Sequence, residues 1–255
     1  MPKLSDRTAL VTGATSGIGR AIAVALAAEG ARVAVHGRDP ERGAAVVDAI
    51  RAAGGRADFL AADLGAGPDA VRGLAADTLT LFDGHVDVLV NNAGIFPSGP
   101  TVEIADATFD AVVAVNVRAP LVLVQALVPG MLARGSGTIV NVGSWVATVG
   151  LAHGSLYPAS KATIEQLSRG WAAEFGPGGV RVNAIAPGVV ATESAPASTR
   201  AIRDAMTAGT PAGRPGTPEE IAAAAVFLAG DAAAFVHGAT LLVDGGALST
   251  LARPV

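Results

Sequence analysis

Short apolar runs alternate with longer alanine-rich segments along most of the chain, and this alternation constrains the fold more than any single motif. The runs Thr8–Thr12, Arg32–His36, Ala57–Ala61, Val86–Asn91, Thr138–Val142, Arg181–Ile185 and Thr240–Val243 read as strands. Gly17–Glu29 and Pro40–Ala53 read as helices, as do longer segments over about Ala105–Arg134, Ser155–Phe175 and Pro218–Ala229. Apolar strands separated by helices imply a parallel sheet covered on both faces. The expected architecture is therefore α/β: a single doubly wound, parallel, seven-stranded sheet whose ligand crevice opens beyond the carboxyl ends of the strands.

A chain of 255 residues, 51% hydrophobic and 16% charged, can bury one large core. The net charge of −4 and the lack of a basic block argue against nucleic-acid binding. No apolar run approaches the roughly 20 residues of a spanning helix, so no membrane association is expected. The first residues, Met1 to Arg7, lack the apolar stretch of a signal peptide, and a cytoplasmic location is the default expectation. With no cysteine there is no disulfide, thiol nucleophile or cysteine-ligated metal. His36, His85, His153 and His237 are scattered without ligand spacing, so no metal site is expected.

Thr12-Gly13-Ala14-Thr15-Ser16-Gly17-Ile18-Gly19 joins the first strand to the first helix. Gly13 permits a sharp turn, Gly17 a close backbone approach to a pyrophosphate, and Gly19 tight packing. The helix N-terminus would present free N–H groups and a positive dipole end to the phosphates. The second strand ends in His36-Gly37-Arg38-Asp39. A ribose 2′-hydroxyl calls for an acidic residue there and a 2′-phosphate for a cation. Arg38 has a planar fork suited to phosphate, and Asp39 lies one step too far for the ribose. NADP(H) is the expected cofactor, with NAD(H) as the alternative.

Tyr157-Pro158-Ala159-Ser160-Lys161 puts the chain's single tyrosine and a lysine on one helix face. A nearby ammonium would lower a phenol pKa of about 10 towards the useful range. Pro158 is tolerable near a helix start, so Tyr157 should lie at the exposed beginning of its helix. Ser144, at the end of the fifth strand, could stabilise charge developing on a carbonyl oxygen. Asn116 is a polar residue inside an apolar helical stretch, which it should disturb, and it could hold a water.

These motifs together resemble the short-chain dehydrogenase/reductase family, whose signature is Thr-Gly-x-x-x-Gly-x-Gly. The resemblance runs from Leu4 to about Gly246 and implies a Rossmann fold. It implies that Gly37 occupies a position where NAD-preferring members tend to have Asp. It also implies that Asp63-Leu64 meets the adenine and that Asn91-Asn92-Ala93-Gly94 lies beside the cofactor, with Asn91, Ala93 and Gly94 in contact. Pro187, Gly188, Val190 and Thr192 would border the nicotinamide, and Lys161 would hold its ribose. Asn116 would support a water chain returning protons to Lys161 and Tyr157.

The implied activity is hydride transfer between nicotinamide and a carbonyl or secondary-alcohol substrate, with Asn116, Ser144, Tyr157 and Lys161 catalytic. An NAD(H)-dependent alcohol dehydrogenase is the alternative, and a nucleotide sensor without chemistry a distant third. Homotetramers are usual in the family, and the helix after Asn116 and the tail Ala247–Val255 suit one. Specificity is expected from Ile95-Phe96-Pro97, from Trp145 and His153, and from Val189 to about Thr210, the place of the family's mobile substrate loop. Arg200 and Arg203 read first as exposed helix charges, with an anion contact as the alternative. Gly213-Arg214-Pro215-Gly216 and Pro218-Glu219-Glu220-Ile221 are similar to β-ketoacyl-carrier-protein reductases. The helix after Lys161 offers only Arg169 as a basic docking residue, which argues against an acidic carrier protein.

Overall fold

The computed structural model describes residues 4–152, 154–193 and 197–250. His153 and the end of the tail, both singled out above, lie outside them. The strands are β1 (Thr8–Val11), β2 (Arg32–Gly37), β3 (Arg56–Ala61), β4 (Val88–Asn91), β5 (Gly137–Val142), β6 (Val180–Pro187) and β7 (Thr240–Val243). They form one parallel sheet in the order β3-β2-β1-β4-β5-β6-β7. The order reverses between β1 and β4, where a crevice is required.

Successive strand residues feed opposite cores, as the two-residue period of a strand demands. Ala9 and Val11 of β1, with Val33, Val88 and Val140, pack beneath α1 (Gly17–Ala28), α2 (Pro40–Ala52) and α8 (Pro218–Ala229). Leu10, Leu89, Ile139 and Val182 face the other way, onto α3 (Pro68–Leu81), α5 (Ala119–Arg134) and α6 (Leu156–Phe175). Leu10, Ile22, Leu89, Leu123 and Ile139 are fully buried. Each such side chain contributes about 1.5–3 kcal/mol of transfer free energy.

Three departures from the sequence reading matter. A helix, α3, fills the β3–β4 connection. β6 continues two residues past Ile185, pairing Pro187 with Val243 of β7. The segment Ala105–Arg134 is not one regular helix: α4 (Asp106–Val112) passes into a π-helical stretch, Val113–Arg118, before α5 begins. Taken together, Asp106–Arg134 is long and apolar enough to cross a membrane, contrary to the expectation above, and just over half of its most apolar window is buried within this fold. Its apolarity serves the core beneath the sheet, where Leu123, Leu127 and Met131 are buried.

Candidate active site

The carboxyl ends of β1, β2 and β4 open into a crevice of about 620 Å³. Gly13, Thr15, Ser16, Gly17, Ile18, Gly19, Arg38, Asp63, Leu64, Ala93, Gly94, Val190 and Thr192 all line it. Gly13 has a φ of 63°, a conformation that only glycine adopts without strain, and a Cβ there would lie 2.9 Å from the Ala93 backbone. A Cβ on Gly19 would collide with the Gly13 carbonyl, so α1 can sit hard against the turn. Ser16 occupies the N-cap position of α1, yet its side chain makes no capping bond, and the first turn holds no acidic residue.

The turn is tied to its neighbours by groups that local motif reading passes over. Thr12 Oγ1 accepts from the Asn92 and Ala93 N–H groups at 3.0 and 3.1 Å. Asn92 Nδ2 donates back to the Thr12 and Gly13 carbonyls at 2.9 and 3.1 Å. His36 is buried; its Nδ1 accepts from the Gly13 N–H at 3.2 Å, and its Nε2 lies 3.1 Å from the Ala62 carbonyl. Nδ1 therefore carries the lone pair and Nε2 the proton. Burial pushes the imidazole down to about 4, against smaller raising effects of the Ala62 bond and Asp63.

At the β2 end, Arg38 is exposed in the crevice wall and Arg42 joins it from α2, with Nη2 3.5 Å from the Thr15 carbonyl. Arg42 escaped the sequence reading, although it follows Arg38 by four residues. Asp39 caps α2, accepting from the Glu41 and Arg42 N–H groups at 3.0 and 3.1 Å. Thr15 packs over Gly37 so closely that any side chain at position 37 would strike it.

Of the residues expected at the cofactor, Asn91, Tyr157, Lys161, Pro187 and Gly188 do not line the crevice. The Asn91 side chain is buried in the sheet and donates to Asn141 Oδ1 at 2.8 Å, while Asn92 takes the crevice position. Pro187 is held in the β6–β7 ladder, and the Gly188 N–H donates to the Val243 carbonyl at 3.0 Å. The extra length of β6 draws both into the sheet.

The second group of polar residues stands next to Gly94. A Cβ on Gly94 would lie 3.4 Å from Asn116 Oδ1 and 3.5 Å from Lys161 Nζ. Asn116, in the π-helical stretch, has its side chain fully engaged. Its Oδ1 accepts from the Ile95 N–H, and its Nδ2 donates to the Ile95 carbonyl, both at 2.9 Å, and to Ser160 Oγ at 3.0 Å. The widened turn is the disturbance expected of a polar residue there.

Tyr157 and Pro158 lie in the first turn of α6. Tyr157 is half-buried, its ring edge-on to Phe96 with centroids 6.1 Å apart. Burial pushes the phenol above its ordinary value, and a hydrogen bond with Ser144 pulls the other way. This corrects the expectation that Lys161 would lower it. The buried ammonium instead donates to the Val142 carbonyl at 2.7 Å, with Nζ 5.8 Å from the Tyr157 ring centroid. Burial brings Lys161 itself down to about 8, with Glu165 opposing.

Glu165 is the residue the motif reading missed. It repeats the four-residue spacing of Tyr157 and Lys161, and its Oε1 accepts from the Ser144 N–H at 3.2 Å. Burial raises its carboxyl, while the Ser144 bond, Arg169 and Lys161 lower it. Any side chain on Gly143 would overlap it.

A second hollow of about 590 Å³ shares the Gly94–Phe96 wall and is lined further by Pro97, Ala107, Thr108 and Ala111. This places Ile95-Phe96-Pro97 beside the crevice as expected. Trp145 is half-buried in a 3₁₀ turn and lines neither space.

A family model described as enoyl-(acyl carrier protein) reductase matches residues 13–247. A solved structure described as a short chain dehydrogenase/reductase family protein is 46% identical, covers 97% of this chain and 100% of its own, and superposes with a TM-score of 0.88. The chain belongs to the short-chain dehydrogenase/reductase family. Among short-chain dehydrogenase/reductase relatives, D-threitol dehydrogenase of Mycolicibacterium smegmatis is 42% identical, over 96% of this chain and 94% of that one. A structure assigned as an NAD(P) dependent gluconate 5-dehydrogenase from Beutenbergia cavernae, with NADP bound at low occupancy, is 43% identical with a TM-score of 0.90, covering 98% of this chain and 100% of that one. The protein is accordingly an oxidoreductase of this family.

Proposed function

We propose that the chain is an NADP(H)-dependent oxidoreductase acting on a carbonyl or secondary alcohol, with Tyr157 as the acid/base. The observation that carries this reading is Lys161 Nζ, one helical turn from Tyr157 and 5.8 Å from its ring centroid, lying against the crevice residue Gly94. The crevice suits a phosphorylated dinucleotide. The uncapped α1 start would take the pyrophosphate. Arg38 and Arg42 would take a 2′-phosphate. Asp39 is spent on its helix, and Thr15 leaves no room for an acidic side chain at position 37, which disfavours NAD(H).

When bound, the nicotinamide supplies or takes up the hydride. Tyr157, kept neutral by burial, holds the proton that a newly formed alkoxide needs. The Ser144 hydroxyl stabilises the charge on that oxygen. Lys161 lies close enough to Gly94 to meet the ribose, and Asn116 fixes the Ile95 backbone that walls the site. Glu165 holds the Ser144 backbone and offsets the cost of the Lys161 charge.

The relatives named for threitol and gluconate favour a small polyol or sugar acid over a carrier-bound substrate. The test follows NADPH or NADP⁺ turnover against ketones, polyols, and hydroxy acids with their amides, alongside NAD(H). Tyr157→Phe should cut kcat by about 1,000-fold or more while NADP⁺ affinity stays within about threefold. Substantial residual turnover would refute the assigned role. The homotetramer implied by the family is checked by light scattering at micromolar concentration, where a monomeric mass overturns it.

A further inference from the structure

Arg203 lies on α7 (Arg200–Ala208), in the segment that follows β6. It lines the crevice together with Phe96, Val190, Thr192 and Thr199. Its Nε and Nη1 are shut off from solvent and meet no hydrogen-bond acceptor among the described residues. Guanidinium N–H groups stripped of water without an acceptor are costly to leave unpaired. The described ion pairs engage other arginines, such as Arg20 with Glu193 and Arg214 with Glu220, and none includes Arg203. The arginine is therefore placed to receive an anion that enters the crevice.

The sheet order decides which anion. Arg38 and Arg42 follow β2, on one side of the β1–β4 reversal, and Arg203 follows β6, on the other. The start of α1, between them, is left open for a pyrophosphate. Every phosphate of a dinucleotide thus has a receptor without Arg203. The nicotinamide half expected on the β6 side carries no anionic group, so the anion left for Arg203 there is one on the substrate.

We propose that Arg203 binds a carboxylate of the substrate, making the physiological substrate class a small hydroxy acid or the matching keto acid. This rests on the oxidoreductase reading above and narrows it. A delocalised, always charged guanidinium suits a carboxylate, and a neutral polyol would leave its shielded nitrogens without an anion.

Arg203→Leu and Arg203→Lys are compared with the unaltered protein on gluconate and gluconamide, and on 3-hydroxybutyrate and 3-hydroxybutyramide. Calorimetry measures NADP⁺ binding, and then binding of each acid to the NADP⁺ complex. Arg203→Leu should lower kcat/KM for the preferred acid about 100-fold, mainly through KM, and that for its amide by no more than about threefold. Arg203→Lys should recover part of the loss, and NADP⁺ affinity should not change.

Equal losses for acid and amide would overturn the proposal. So would a loss confined to NADP⁺ binding, which would assign Arg203 to the pyrophosphate. If nothing turns over, calorimetry still decides. Acid binding that disappears in Arg203→Leu keeps the carboxylate site while the catalytic reading fails. Absence of binding by either acid to the unaltered complex removes the proposal. Tyr157→Phe should retain acid binding, separating the two readings.

Discussion

Helices α1 and α8 are both twelve residues long and share one core, yet their first turns are built in opposite ways. In α8, Thr217 Oγ1 accepts from the Glu220 N–H at 3.3 Å, and Glu220 Oε2 accepts from the Thr217 N–H at 2.8 Å. Pro218 occupies the first helical position, and Glu219 adds charge to the positive end. In α1, the Ser16 side chain makes no capping bond and the first turn holds no carboxylate. The start of α8 is satisfied from within the chain, whereas that of α1 opens on a crevice also lined by Arg38, Arg42 and Arg203. A helix start left open beside cations is organised for an external anion.

The largest test of that contrast removes the cations. Arg38→Ala combined with Arg42→Ala should weaken NADP⁺ binding about 100-fold and NAD⁺ binding by no more than about threefold, measured by calorimetry. Equal losses would mean that the arginines do not read the 2′-phosphate.

The second test concerns the support of the α1 turn. The folded-state value of His36 is about 4 and its ordinary value 6.5, so the folded chain disfavours the proton. The stabilising effect of a neutral His36 is complete above pH 6.5 and is lost as pH falls towards 4, by about 3 kcal/mol. Urea unfolding should show the unaltered protein losing more stability over this window than His36→Asn. Parallel pH curves for the two would show that the imidazole is not held neutral.

The smallest test compares the caps directly. Thr217→Ala should lower unfolding stability by about 1 kcal/mol, while Ser16→Ala should change it by less than about 0.5 kcal/mol without ligand. Equal costs would mean that α1 is capped after all, and the comparison would break.

The same division separates what was readable along the chain from what was not. All seven strands were visible because short apolar runs between helical segments are local signals, and their ends moved by no more than two residues. Tyr157 and Lys161 were singled out by their spacing, Ser144 by its strand end and Asn116 by its apolar surroundings, and the fold brings Asn116 and Lys161 together behind Gly94. The phenol's environment was misjudged because spacing places Lys161 near Tyr157 but cannot show that its ammonium turns to the Val142 carbonyl. Asn91 was likewise named as the cofactor contact in place of Asn92, because sequence cannot show that the pleat sends Asn91 into the sheet and Asn92 into the crevice.

By itself the sequence determined the alternation of strands and helices, the glycine turn at the first strand's end, and the tyrosine–lysine spacing. These depend on backbone geometry repeated every two or nearly four residues. Only the tertiary structure decided which polar groups lose water and what they meet. Glu165 reaches Ser144 across 21 residues, His36 reaches Gly13 across 23, and Arg203 Nε and Nη1 meet no acceptor among the described residues. Desolvation depends on all the atoms packed around a group, and those atoms come from distant parts of the chain.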